Sequence, residues 1–213
     1  MTGARERRQR RARRTGLVMT VVLILSTGIV TTAAFHDGSA VPTAPICPGA
    51  QAAKATSTTV AAAVTNVGSG QLPALLVAQP VRLRLLPVFR QWASICGVPA
   101  SLVEATCWWE SGWQETEVSP TGAVGVCQIE PDAAQTVRGL LHDDTLNTRS
   151  ASDNIEMSAA YLRWLLNETG GRRSLALASY YQGLTSVREH GILPVSRPYV
   201  TGITALLNHY DWS

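Results

Sequence analysis

Glu110 lies in the stretch "CWWESGWQ" (107–114), directly behind Trp108 and Trp109 and three residues before Trp113. Read as a helix starting near Ser101, this stretch puts Val103, Cys107 and Glu110 at i, i+4 and i+7, beside a stripe of Leu102, Trp109 and Trp113. A carboxyl group on an apolar face is partly withdrawn from water, which favours its neutral form and raises its pKa. A carboxylic acid still protonated near pH 7 is what protonating a leaving-group oxygen requires. On its own, a Glu near a helix end is an ordinary solvated residue and such tryptophans are ordinary core. The residues that follow Glu110 decide between the two readings.

The elements that must position this carboxyl read as helices separated by Gly and Pro, with no convincing run of alternating strand residues. The pattern predicts a helix over 82–95, then a turn at "GVPAS" whose Ser101 caps a second helix running to Ser111 and stopping at Gly112. Pro131 and Asp132 suit the start of a third helix at "PDAAQTV". Ser150, three residues before Asp153, resembles a capping arrangement for a fourth, in which Ile155, Ala159, Leu162 and Leu166 recur at helical spacing before Gly170 and Gly171. A short apolar helix is expected over 174–181. A last one follows Ser196 and carries Tyr199, Ile203, Leu206 and Tyr210 on one side. About six helices around one core, with no internal repeat, make the expected fold mainly α.

The chain has 213 residues and a formal net charge of +3, but seven arginines against Glu6 put +6 into the first fourteen residues, so the remainder carries −3. That acidic balance offers nothing for nucleic acid beyond the arm at 1–14. Residues 15–35 are uncharged, and "LVMTVVLIL" within them is almost wholly apolar, so about 20 helical residues could cross a hydrocarbon layer about 30 Å thick. Arginines ahead of such a segment stay on the cytoplasmic side. The segment is therefore a membrane anchor or, since its apolar core is short and "TTAA" offers small residues, a cleaved signal peptide. Either way the folded part, over 80–213, is expected outside the cytoplasm. Residues 36–79, rich in Ala, Thr, Ser and Pro, read as a flexible spacer, with Cys47 the one residue at odds with a wholly loose segment. In an oxidising compartment Cys47, Cys96, Cys107 and Cys127 suggest bridges, and of three possible connectivities one joining Cys107 to Cys127 is favoured. No Cys-x-x-Cys pair occurs, and His142 and His190 lack ligand spacing, so no metal or other cofactor is expected.

Glu110-Ser111-Gly112-Trp113, then "VSPTGA" at 118–123, then Gly125-Val126-Cys127-Gln128-Ile129-Glu130-Pro131 resemble, without a gap, the catalytic block of the soluble lytic transglycosylase-like domain family, related to goose-type lysozyme. "SYYQG" (179–183) is similar to a later Ala-Tyr-Asn-Ala-Gly motif, and Tyr199-Val200 to a final Tyr-Val, so the resemblance spans about 80–210. It implies a lysozyme-like helical domain with a substrate groove. The implied activity is cleavage of the β-1,4 bond between N-acetylmuramic acid and N-acetylglucosamine in peptidoglycan, with Glu110 as acid and then base and no cofactor. The muramyl C6 hydroxyl would close the ring to give 1,6-anhydromuramic acid. The resemblance also implies that Ser119 and Gln128 line the groove and that Tyr180 hydrogen-bonds near the carboxylate. Tyr181 and Tyr199 are read as further substrate contacts.

Several residues depart from the family pattern: Tyr181 stands for Asn, Gln182 for Ala, Cys127 for Met, Val195 for a frequent second Glu and Glu130 for the second Met. Glu130 has two readings. It starts the "PDAAQTV" helix, where a negative charge suits the dipole, or it enters the groove to orient sugar hydroxyls or activate a water. The second would favour hydrolysis, because two carboxyl groups flanking the bond are the usual hydrolase arrangement. A noncatalytic peptidoglycan-binding scaffold is a further alternative. Glu104, Glu115 and Glu117 match no catalytic position and read as surface.

Overall fold

The computed structural model describes residues 46–56 and 72–212. Its regular elements are helices: α1 (Ala50–Thr56), α2 (Ala74–Val77), α3 (Pro80–Leu83), α4 (Leu86–Cys96), α5 (Ala100–Ser111), α6 (Pro131–Leu141), α7 (Ala151–Glu168), α8 (Arg173–Gln182), α9 (Leu184–His190) and α10 (Arg197–His209), with a 3₁₀ turn at Pro194–Ser196. The mainly α expectation holds. The proposed anchor or signal at 15–35 lies outside the described residues, among which no helix is long and apolar enough to cross a membrane.

The longest helix, α7, is the axis on which α4, α5, α6 and α8 pack. Its buried side includes Ile155, Met157, Leu162 and Leu165 together with the small residues Ser158, Ala159 and Ala160, whose short side chains let neighbouring backbones come close. Ser150 caps it as expected, its hydroxyl accepting from the Asp153 amide at 3.4 Å. The helix α10 closes the other side of α5 and also packs on α8.

Local chemistry moves several boundaries. The helix expected over 82–95 is broken, because Pro87 has no N–H to give to a carbonyl one turn earlier, and a new helix begins at Leu86. Ser101 is not a cap: extended Pro99 occupies that position, and its carbonyl accepts from Leu102 and Val103. Ser196 likewise makes no side-chain cap for α10. The short helix α9 has no counterpart in the sequence reading.

Part of the expected spacer is folded. Ile46, Cys47, Ala50, Leu72 and Leu76 are buried in the main core, and Cys47 is bridged to Cys96 at the end of α4. Closing a loop across 49 residues removes unfolded-state entropy equivalent to about 4 kcal/mol. Lys54 adds a second fastening, with Nζ 2.5 Å from Asp143 and 3.2 Å from Glu156. A composition poor in charge and aromatics reads as loose chain, but in the described parts the disulfide, the Lys54 ion pairs and buried apolar residues fasten it to the core.

Glu104 is not a surface residue. It is 0% exposed, and neither carboxyl oxygen has a hydrogen-bond partner. Burial pushes its pKa up to about 8, with the Arg90 charge pulling weakly the other way. Its folded-state value is thus above the unfolded value of 4.5, so the native state keeps a proton that the unfolded chain releases between those values. The associated stability is present below pH 4.5 and is lost as pH rises through 8. Glu104→Met is expected to raise the melting temperature, and its advantage over the wild type should widen from pH 5 to pH 9. Melting curves that stay parallel across that range would show that Glu104 is not buried as a proton-bearing acid.

Candidate active site

The helix α5 carries Glu110 in its last turn and stops at Gly112, as expected. Beyond it the chain folds into a small set of antiparallel bridges, Val118 with Val124 and Val124 with Ile129. Four attachments hold this loop against the helices. The Ser111 hydroxyl donates to the Val126 carbonyl at 2.6 Å. The predicted bridge between Cys107 and Cys127 is present, closing a loop of 20 residues between α5 and the turn. From α7, the buried Asn154 amide donates to Val124 and Thr148 carbonyls and its oxygen accepts from the Cys127 amide, each at 2.8 Å. Tyr180 Oη donates to the Cys127 carbonyl at 3.0 Å and pairs with the Ser158 hydroxyl at 3.1 Å. A side chain at Gly125 would put its Cβ 2.9 Å from Asn154 Nδ2, so only glycine admits the Asn154 contact.

The Glu110 carboxyl is half-buried and receives one hydrogen bond, from Tyr199 Oη to Oε1 at 2.6 Å. Loss of water around it pushes its pKa up to about 8, the Tyr199 hydrogen bond opposes the rise, and the negative charge of Glu130 adds to it. At neutral pH the acid is therefore protonated. With Oε1 accepting from Tyr199, the proton belongs on Oε2. The tryptophans take separate positions. Trp113 is fully buried against Phe89, with ring centroids 4.5 Å apart, and donates Nε1–H to the Glu104 carbonyl. Trp109 is half-buried and meets the Tyr199 ring edge-on at 6.5 Å.

Tyr199 rather than Tyr180 is thus the residue that hydrogen-bonds Glu110. Sequence order alone does not say which helix end faces the acid. Tyr181 lies over Tyr199, with centroids 4.8 Å apart and planes 28° from parallel. Ser119 acts as a turn former, accepting from the Ala123 amide at 2.9 Å and pairing with the Thr121 hydroxyl at 2.8 Å. Gln128 sits in the left-handed region (φ 48°) and gives its amide to the Gly125 and Glu117 carbonyls. Glu130 is exposed at the N-cap position of α6, but its side chain makes no cap bond. It accepts from Thr121 Oγ1 at 2.6 Å instead. Asn154 and Gly202 were not visible as site residues in the sequence. An Asn within a helix just after a Ser cap, and a Gly inside an apolar helix, were the only signals.

Residues 87–193 match the family model described as the transglycosylase SLT domain. The chain belongs to that family. Among solved structures it is similar to an inactive Glu-to-Gln mutant of the lytic transglycosylase Slt from Pseudomonas aeruginosa, at 23% identity and a TM-score of 0.52, over 57% of this chain and 23% of that one. The 70-kDa soluble lytic transglycosylase SLT70 from Escherichia coli matches at 24% identity and 0.53, over 58% and 23%. A complex of the 70-kDa soluble lytic transglycosylase with bulgecin A matches at 23% and 0.54, over 60% and 25%. The SLT-domain chain thus shares its fold with about a quarter of the length of these larger proteins.

Proposed function

We propose that this SLT-domain protein cleaves the β-1,4 bond between N-acetylmuramic acid and N-acetylglucosamine in peptidoglycan, outside the cytoplasm, anchored or exported through residues 15–35. The observation that carries the reading is Glu110: one carboxyl, protonated at neutral pH and held by Tyr199, at the start of the stretch that resembles the family's catalytic block. The solved Slt relative that is inactive as a Glu-to-Gln mutant supports a Glu-dependent reaction in that protein.

In the reaction, the Oε2 proton of Glu110 passes to the bridging glycosidic oxygen as the C1–O bond breaks. The electron pair leaves with N-acetylglucosamine, and positive charge builds at C1 of the muramyl sugar, shared with its N-acetyl oxygen. Glu110, now a carboxylate, takes the proton of the muramyl C6 hydroxyl as that oxygen bonds to C1. The product is a 1,6-anhydromuramyl end, and the acid is restored. Tyr199, by donating to Oε1 throughout, keeps the carboxyl in one orientation for both transfers.

Hydrolysis is the second reading, and one observation favours it: the Glu130 charge acts on Glu110 and helps to raise its pKa, and a second carboxylate within that range could activate water. The test is digestion of purified peptidoglycan by the full chain, with mass analysis of the muropeptides. Ends lighter by one water than reducing muramic acid are expected. Reducing ends would move the assignment to the hydrolase, and bound glycan without release would leave a binding scaffold.

A further inference from the structure

Tyr181 is 46% exposed, and among the described residues it is the one aromatic side chain in the set of large, well-exposed hydrophobics. An exposed tyrosine by itself is ordinary. What sets this one apart is its backing. Tyr180 and Tyr181 are successive residues on α8, so they point about 100° apart. Tyr180 turns inward to Ser158 and Tyr161, while Tyr181 lies face to face with Tyr199. Tyr199 in turn is only 4% exposed, is met edge-on by Trp109, and holds Glu110. One face of the Tyr181 ring is therefore fixed by a buried, immobilised ring, and the exposed part of the side chain lies one aromatic layer from the acid.

A flat, rigid aromatic surface suits the face of a pyranose whose bulky substituents are equatorial. In β-1,4-linked N-acetylhexosamines the hydroxyl, acetamido and glycosidic substituents are all equatorial, so each ring face presents axial C–H bonds. Such a face is apolar and close to planar, and it can cover a phenol ring without stranding a hydroxyl away from water. Because Tyr181 is already held by Tyr199, little side-chain freedom is lost on contact.

We infer that Tyr181 is a stacking platform for one N-acetylhexosamine ring of the glycan. The inference rests on the reading of this protein as a peptidoglycan-cleaving enzyme. It adds a contact made by a residue at which this chain has Tyr where the resembling family motif has Asn.

The experiment is calorimetric titration of the full chain carrying Glu110→Gln with a β-1,4-linked tetramer of N-acetylglucosamine, alone and combined with Tyr181→Phe, Tyr181→Trp, Tyr181→Leu or Tyr181→Ala. Thermal melting confirms that each variant folds. Phe and Trp keep a flat face and are expected to bind within about twofold of the Tyr181 chain. Leu still covers Tyr199 but has no flat face, so it is expected to weaken binding roughly tenfold, like Ala, a change of about 1.4 kcal/mol. Leu binding as tightly as Phe would overturn the platform and leave Tyr181 a mere cover for Tyr199. Equal binding by all five chains would overturn it while the proposed function stands. Failure of the Glu110→Gln chain itself to bind the tetramer would overturn both.

Discussion

Glu110→Gln is expected to lower peptidoglycan turnover by about 10³-fold, within the range that a positioned general acid contributes, with the fold intact. The substitution is nearly isosteric, and the amide oxygen still accepts from Tyr199 Oη, so the 2.6 Å contact keeps its partner. What is lost is the proton on the second oxygen. The wild-type rate carries a matching signature. Burial has raised the Glu110 pKa to about 8, so the acid form predominates at neutral pH and the rate should fall as pH rises through that value. On the acid side the same group imposes no limit, because it is already protonated. Muropeptide release by wild type and variant, followed from pH 5 to pH 9, checks both. Equal release by the two proteins, or a wild-type rate that rises through pH 8, would remove Glu110 from the reaction.

The parts of this site that were legible in the sequence are those fixed by local order. A Glu one residue from the helix stop, followed by "VSPTGA" and a Gln before Ile and Pro, is a contiguous block, and the helix, turn and second helix follow from it without long-range information. The bridge of Cys107 to Cys127 was within reach for the same reason, since 20 residues separate its ends. The tyrosines were harder. Tyr180, Tyr181 and Tyr199 come from two helices far along the chain, and their aim depends on how α10 lies against α5 and how α8 lies against α7 and α10. The resemblance puts a Tyr180 hydrogen bond near the acid, and the structure gives the bond to the acid itself to Tyr199. Glu104 failed in the opposite direction. A charged residue in the first half of a helix reads as solvent-facing, and only the packing of the folded chain buries it.

The loop from Val118 to Pro131 shows why so short a block needs so much support. Its three segments pair only through isolated bridges, and a structure of that size has little stability of its own. Asn154, Ser111, Tyr180 and the disulfide each tie it to a different helix or helix end. Gln128 and Glu130 therefore keep fixed places relative to Glu110 because the loop is fastened to the same helices that carry the acid.

Gly202→Ala is expected to lower activity by roughly 100-fold, the loss that a displacement of about 1 Å in a catalytic group can bring. Gly202 lies inside α10, where an exchange to Ala would ordinarily stabilise a helix by about 1 kcal/mol. Here the new methyl carbon would stand 2.1 Å from Cη2 and 2.2 Å from Cζ3 of Trp109, well inside contact distance. Trp109 has little room to withdraw, since its ring already meets Tyr199 and its backbone is the residue before Glu110. Either the indole swings and carries the end of α5 with it, or α10 shifts and takes Tyr199 away from the carboxyl. Overpacking of this kind costs about 1–3 kcal/mol, so the melting temperature should fall rather than rise. Trp109→Leu in the Gly202→Ala background removes the clashing ring and should recover the lost stability without restoring full activity. A Gly202→Ala protein that melts higher than the wild type and turns over glycan at the same rate would show that the indole yields freely and that this close approach does not position the acid.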